Sequence, residues 1–390
     1  MPNESDFENW MQAINDRDGV SLIGAAENDR RRGTLVEASW RSKLTNALQN
    51  PLDAASLADM VYPGDCVAIS VGPDVPGSEA LVETLVELLV TQGVRHADIT
   101  ILGGTNLFAA AQPHLASPVE NQGLENQGLE NQVRLVAHRA DDQEALAMVG
   151  VSRHNFPIYL NKHLVEADVV IPLVLMNRDE GLSLAGSIYP TWSSVETQER
   201  LRGHQAEQIE EAKEAENLVC PFLMIGVIPS PGGAQGEVVA GLRQAVQHQA
   251  KQRLKALWTT APAAHAAVLA TLEAHYDLGL WDRLRHALHN ALALAADQAP
   301  IVLLLAPGVA GSRQSRTGGK KRSTEKSRLM EIIEEATRHR PIFLASDLDS
   351  NEVEELGLGA IATSAELRKL LQRSPELAVI RDADRWRIHQ

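Results

Sequence analysis

Residues 66–104 read CVAISVGPDVPGSEALVETLVELLVTQGVRHADITILGG. CVAISV (66–71) is a short β-branched run, and ALVETLVELLV (80–90) sets Leu81, Leu85, Leu88 and Leu89 at helical spacing ahead of Gly93. DITILGG (98–104) then reads as a second buried strand. Strand, helix and strand in so short a span make a βαβ unit, whose parallel pairing requires a right-handed crossover and helices covering the sheet. The expected fold class is α/β.

Working outward, VRLVAH (133–138) and ADVVIPLVLM (167–176) continue the strands, with DDQEALAMVG (141–150) as a helical pattern between them. Residues 118–132, PVENQGLENQGLENQ, repeat a five-residue unit too polar to bury a face, and read as a mobile insertion. Residues 196–217 have the composition of one solvated helix, FLMIGVI (222–228) is a strand, and SPGGAQG (230–236) closes that unit. One sheet is therefore expected over residues 60–235. Residues 236–296 are rich in Ala, Leu and His with helical periodicity, whereas IVLLLAP (301–307), PIFLAS (341–346) and LAVIRD (377–382) look like strands. This predicts two Rossmann-like α/β domains with an interdomain cleft, residues 1–262 and a smaller domain over 263–390. The basic stretch SRQSRTGGKKRSTEKSR (312–328) has no apolar residue to pack and reads as a flexible loop, with an anion-binding lid as the sharper alternative.

Length agrees with two domains, since 390 residues exceed what one core needs. A chain that is 44% hydrophobic and 22% charged is globular rather than fibrous or disordered. The formal net charge of -15 disfavours nucleic acid or an anionic membrane as the main partner. Neither a secretory signal nor an uncharged run long enough to span a bilayer is present, so the expected location is cytoplasmic. Cys66 and Cys220 both adjoin apolar runs and read as buried, reduced thiols.

Local motifs for common chemistries are absent. No Walker lysine motif and no GxGxxG occurs, and GLSLAG around Ser183 has the wrong last residue for a nucleophile elbow. His286 and His289 are three apart on an Ala- and Leu-rich helix, where packing is the commoner role.

HADITILGGTN, AHRADDQEALAMVGVSRHNFPIYLNKHLVEADVVI, PTWSSVETQERLRGH and FLMIGVIPSPGGAQGEVVAGLRQA, with LWDRLRHAL and IVLLLAPGVAG further on, resemble the lactate racemase family that uses a nickel-pincer nucleotide cofactor. The resemblance implies a cofactor held between two α/β domains and an isomerase ancestry, racemase or epimerase of hydroxy acids. Its phosphate-binding turn, Asp-x-Thr-Arg-Pro-x-Pro, corresponds to SVGPDVP, so Ser70, Gly72, Pro73 and Asp74 replace the Asp, Thr, Arg and first Pro. A carboxylate thus stands near the cation's place. The Gly-Thr-His turn that carries one catalytic base is Gly104, Thr105 and Asn106 here. The second base position holds Asn177, and the lysine that anchors the cofactor is Gly186 or Ser187, with no lysine between Lys162 and Lys213. An amide cannot take up a proton near neutral pH as an imidazole does.

For the family's nickel-ligating histidine, the chain offers Arg202 in an ungapped reading or His204 after a two-residue shift. In the second domain the family's Gln and Lys correspond to Asp282 and Arg285, the latter able to hold a carboxylate or phosphate. Two readings follow. One is a non-racemase binding or regulatory module, a pseudoenzyme whose ligand is a small carboxylate or phosphate and for which cofactor binding is unsupported. The alternative is an active nickel-pincer-dependent racemase or epimerase of a 2-hydroxy acid or sugar acid, with Asn106, Asn177 and Arg285 positioning substrate and His204 on the metal.

Overall fold

The computed structural model describes residues 20–23, 34–73, 75–104, 133–176, 188–201, 205–219, 223–229, 236–272, 280–306, 309, 319–372 and 376–388. The chain forms two compact units, one from Arg30 to Leu254 and one combining Lys255–Gln390 with the chain before Arg30.

The first strand, β1 (Val20–Ile23), serves the second unit. The first unit then presents α1 (Thr34–Gln49), β2 (Val67–Val71), α2 (Ser78–Thr91), β3 (Ile99–Gly103) and β4 (Arg134–Ala137). It continues with the hairpin β5 (Leu146–Val151) and β6 (Pro157–Asn161), then β7 (Val169–Leu175), α3 (Val195–Leu201), α4 (Gln205–Val219), β8 (Met224–Ile228), β9 (Glu237–Gly241) and α5 (Arg243–Trp258). Its sheet has the order β4-β3-β2-β7-β8-β9, parallel except for β9. β2, β3, β7 and β8 are buried at every position, which is why their sequences are unbroken apolar runs rather than alternating ones.

Pro172 sits inside β7, where a missing N–H would normally cost a ladder bond. The neighbouring Leu173 carbonyl accepts the Gly72 amide at 2.8 Å, so Leu173 faces β2 and Pro172 faces β8. Pairing with β8 begins only at Leu173 opposite Ile225, so no bond is forfeited.

One sheet face, with Ala68, Leu102 and Val170, buries Ile158 and Leu160 of the hairpin, Tyr189, Trp192, and Ala212 and Ala215 of α4. Elsewhere α1 packs on α2 and β9. The buried Trp40 ring of α1 needs glycine on both sides. A Cβ on Gly77 would lie 2.5 Å from that ring, and one on Gly236 would lie 2.7 Å from it and 2.6 Å from the Ile228 carbonyl. Gly77 is also left-handed, at φ 66°.

The second unit holds β10 (Thr259–Thr260), β11 (Val268–Leu272), α6 (Leu280–Leu294), β12 (Ile301–Leu305), α7 (Gly319–Thr337) and β13 (Ile342–Ala345). After these come α8 (Ser350–Glu355), β14 (Gly359–Ile361), α9 (Ser364–Leu371), β15 (Leu377–Ile380) and β16 (Arg387–Ile388). Its all-parallel sheet runs β1-β15-β11-β12-β13-β14, and β10 pairs with β16 apart from it. Leu284, Ala287, Leu288 and Ala291 are buried at helical spacing along α6, which packs on β11 and β12. On the α9 side, Leu367 and Leu371 close over Leu269, Val302 and Leu304.

Several expectations are corrected. DDQEALAMVG is not a helix: Gln143–Ala145 is a single 3-10 turn and Leu146–Val151 is β5, antiparallel to β6 with a bulge between Met148 and Gly150. The Ala-rich run before residue 273 contains β11, a central strand buried on both faces and therefore without the alternation that marks half-exposed strands. Residues 196–217 form two helices, α3 and α4, rather than one. The basic stretch is not a loop throughout, because Gly319–Arg328 begin α7, whose Leu329, Ile333 and Ala336 dock on the unit at i, i+4 and i+7. Its earlier part, the repeat at 118–132 and Cys220 lie outside the described residues. Cys66 is exposed: it precedes β2, where its N–H donates to Asp168 Oδ2 and its carbonyl accepts the Asp168 and Val169 amides. The two compact units meet in sequence at Leu254/Lys255, and β1 belongs to the second unit.

The two costs of a side chain in left-handed backbone separate cleanly in this protein. Gly77→Ala meets the Trp40 ring and is expected to cost about 1–3 kcal/mol from overpacking on top of strain. Gly64→Ala, at φ 101° with nothing within 4 Å, carries strain alone. Urea midpoints of the two variants should therefore differ, with Gly77→Ala the lower.

Candidate functional site

In an open α/β sheet, ligands collect at the carboxyl ends of the two adjacent strands whose connections leave in opposite directions. From β2 the chain proceeds outward to β3 and β4, then returns to β7 on the other side of β2 and goes on to β8. The switch point is therefore between β2 and β7. Parallel register sets Ser70 opposite Leu102 on one side and Pro172 on the other. The residues singled out from sequence sit at these strand ends: Ser70, fully buried, within β2, Gly72 just past it, and Gly104 just past β3. Gly72 is held tightly, since a Cβ there would come within 3.2 Å of the Leu173 carbonyl. Gly104 is exposed, with open space where a side chain would be. Asp74, Thr105, Asn106, Asn177, Ser183, Gly186, Ser187, Arg202 and His204 lie outside the described residues.

A polar network beside these strand ends was not anticipated from the sequence. His138 follows β4 and donates its backbone N–H to the Gly103 carbonyl at 3.0 Å, so it adjoins the end of β3. Buried Asn161 caps the single-turn helix Lys162–Val165 by accepting the His163 amide at its Oδ1. That bond orients its Nδ2 toward His138 Nδ1, 3.3 Å away. His138 Nδ1 must then accept, and Nε2 carries the proton donated to the Ser193 carbonyl at 3.0 Å. The imidazole is neutral, and burial pushes its pKa below the ordinary histidine value. Its ring meets Trp192 edge-on at 5.5 Å, the Trp192 carbonyl accepts the Asn161 amide, and Gln198 Nε2 donates to the Thr191 and Ser193 carbonyls.

A second network lies on the same face. The buried Tyr189 hydroxyl donates to Glu211 Oε2 at 2.9 Å, and Arg200 grips both Glu211 oxygens at 2.8 and 2.6 Å. The Arg200 guanidinium stacks on Phe156 at 4.0 Å, and Tyr189 is pushed well above the usual phenol range by burial and by Glu211. Glu211 is 1% exposed, so its charge depends on Arg200 for compensation.

Residues 27–177 match the model of the lactate racemase N-terminal domain. The lactate racemase apoprotein from Thermoanaerobacterium thermosaccharolyticum is similar in structure over 90% of this chain and 93% of that one, with a TM-score of 0.60 and 16% identity. A protein from Thermotoga maritima is similar over 90% of this chain and 98% of its own, with a TM-score of 0.55 and 11% identity. At such identities the likeness establishes a shared fold. No curated protein matches the sequence.

In the second unit, positions 282 and 285 both fall on α6. Arg285 Nη2 lies 2.7 Å from His286 Nε2, which must accept and is therefore unprotonated there. Trp281, between α6 and its surroundings, is buried and has the Lys326 ammonium 5.5 Å from its ring. The Asp282 side chain is outside the described set. Among the described residues no helix is long and apolar enough to cross a membrane, and no group of three or more His, Cys, Asp or Glu gathers in a way that could hold a metal ion.

Both networks yield measurable consequences. Because the folded state holds His138 neutral below the ordinary histidine pKa, the unfolded chain binds the extra proton as pH falls through about 6.5. Its stabilising contribution is thus complete above that pH and declines below it. In urea titrations from pH 7.5 to 5.5, His138→Gln should lose stability at high pH but show a shallower decline than the parent. His163, also lowered by burial, will retain part of the slope. Arg200→Met strands the Glu211 carboxylate and should cost about 3–5 kcal/mol, whereas Arg200→Met combined with Glu211→Gln should recover much of it.

Proposed function

We propose that this lactate racemase-like protein binds a small carboxylate or phosphate without catalysing racemisation. The observation that carries the reading is the residue set at the carboxyl ends of the first sheet. Where the family pattern has a cation for the cofactor phosphate, this chain has Pro73 followed by Asp74. At contact distance a carboxylate opposes a phosphate by several kcal/mol in a poorly screened pocket. At position 72, where the family pattern has a threonine, a Cβ would lie a tight 3.2 Å from the Leu173 carbonyl, and glycine offers no hydroxyl. In our reading this set does not suit a nickel-pincer nucleotide.

The proton chemistry is affected in the same way. Asn106 and Asn177 can each donate and accept hydrogen bonds, which is enough to orient a hydroxyl or a carboxylate. Neither can remove a proton from a substrate hydroxyl near neutral pH. The absence of a lysine between Lys162 and Lys213 removes the amine by which the family anchors its cofactor. In the second unit Arg285 offers a guanidinium to the same class of anion. The low cysteine count supports a cytoplasmic setting for such a module.

Expression in a host that builds the nickel-pincer nucleotide provides the test. Purified protein is expected to contain far less than stoichiometric nickel, to show no bound chromophore beyond the protein's own aromatic absorption, and to leave either enantiomer of lactate unchanged. Stoichiometric nickel with a chromophore, abolished by His204→Ala, would establish the active alternative instead.

A further inference from the structure

The amino edge of the second sheet carries a set of polar residues with no role in the proposed function. β12, β13 and β14 run parallel, so the residues leading into them, Gln298, His339, Arg340 and Gly357, gather at one edge, away from the carboxyl ends. The end of α6 reaches the same edge, because Arg340 Nη1 donates to the Ala296 carbonyl at 3.1 Å and lies 3.5 Å from the Ala295 carbonyl. A hollow of about 580 Å³ opens there, with Gln298, His339, Arg340, Phe343, Gly357 and Gly359 on its wall. A second hollow of about 650 Å³ shares Gln298, His339 and Arg340 with it.

Arg340 brings a cation to this edge without a carboxylate to match. The carbonyls at the end of a helix carry roughly half an elementary charge in all, so those that follow α6 offset only part of the guanidinium. The neighbouring Arg338 pairs with Glu334 at 2.9 Å. Among the described residues, by contrast, Arg340 has no acidic partner and the His339 imidazole has no hydrogen-bond partner. Asp297 and Glu335 line the second hollow, whereas among the described residues no acid lines the first.

Gln298 is held in a backbone conformation that its side chain does not favour. The Ala299 amide donates to the Ala296 carbonyl at 3.1 Å, closing a four-residue turn whose third residue, Gln298, sits at φ 62°. Glycine is what such a position selects, and a side chain retained there at a cost in stability points to a use for that side chain. The wall at β13 and β14 is apolar. Phe343 lies opposite Gly359, where a Cβ would come within 2.6 Å of its ring, and Pro341 and Ile342 extend the same surface.

We propose that this hollow binds a carboxylate carried on a flat apolar body, with Arg340 and Gln298 holding the carboxylate and the surface around Phe343 and Gly359 receiving the body. One guanidinium and one amide match the single charge and planar fork of a carboxylate, whereas a phosphate dianion calls for more positive charge than Arg340 supplies. The site is separate from the residues that carry the proposed function and does not depend on them.

The probe is benzoate, titrated against the full chain at constant ionic strength and followed by ligand-observed NMR, with benzamide, acetate and inorganic phosphate in parallel. Benzoate is expected to saturate. Each of the others should bind about tenfold more weakly or worse, since benzamide lacks the charge, acetate the body, and phosphate both the body and the planar fork. Arg340→Gln should weaken benzoate binding by about tenfold or more, and Arg340→Lys should recover part of the loss. Gln298→Gly should weaken it severalfold while raising the urea midpoint, because glycine relieves the left-handed strain. A Gln298 with a merely structural role would give the gain in stability alone. If Arg340→Gln fails to fold by circular dichroism, Gln298→Gly decides. Absence of saturable benzoate binding, equal binding of acetate or phosphate, or benzoate binding unchanged by either folded replacement overturns the proposal. Benzoate held at another site would leave both replacements silent, so this failure is distinct from that of the proposed function, which is read from nickel and lactate.

Discussion

The parallel pairing of β2 with β7 is the constraint on which the first unit depends. These strands are distant in sequence, with β3, β4 and the β5–β6 hairpin between them, yet they are neighbours at the centre of the sheet. Their register carries the chain past the end of β2, where the Gly72 amide still reaches the Leu173 carbonyl. Pro172 is compatible with that arrangement because its missing donor is turned to the side where β8 has not yet begun to pair. On one side of the sheet the arrangement lets Trp40 lie between Gly77 and Gly236, and on the other it supports the hairpin, Tyr189 and Trp192. Burial of both faces supplies the stability, and the direction of the connections decides which strand ends meet.

How much of this was legible in the sequence follows from where each signal resides. The βαβ unit over residues 66–104 declares itself because its helix has a strong leucine period and its strands are β-branched runs. The same holds for the strands found at Ile301–Leu305, Ile342–Ala345 and Leu377–Ile380. β11 did not, because VLATL within an alanine-rich stretch resembles a helix when both faces are buried and its one polar residue, Thr271, is too little to mark a period. The hairpin was missed for the converse reason: its partly exposed strands owe their pairing to each other and to Leu218 of α4, which closes on Gly150. In α7 the decisive residues, Leu329, Ile333 and Ala336, lie C-terminal to the basic stretch and give that stretch a helix to continue.

At the candidate site, Ser70 lies within β2 and Gly72 and Gly104 lie just past β2 and β3, but motif spacing carries no information on what surrounds them. The His138 and Tyr189 networks were invisible for a definite reason. His138 is 55 residues from Ser193 and 23 from Asn161, and neither separation corresponds to a local motif. Glu211 looked like one more charge on a solvated helix until α3 and the turn before it brought Arg200 and Tyr189 against it. Periodicity reports which face of an element is apolar, but it cannot report that a carboxylate on the polar side has been covered by a different element.

The two sheets obey the same geometric rule with opposite chemical content. Each parallel sheet reverses its direction of growth at one place, β2/β7 in the first unit and β11/β15 in the second. At the first, the turn after the central strand reads GPDVPG and contains no cation. At the second, the turn reads RDADRW, with two arginines and with one of its two carboxylates already neutralised by Arg283. A parallel sheet imposes the crevice whatever residues line it, so the side chains at a switch point do not decide the fold. Retaining Arg283, Asn290 and Thr271 around the other is a different matter, since each is buried and each burial of a polar group must be compensated locally.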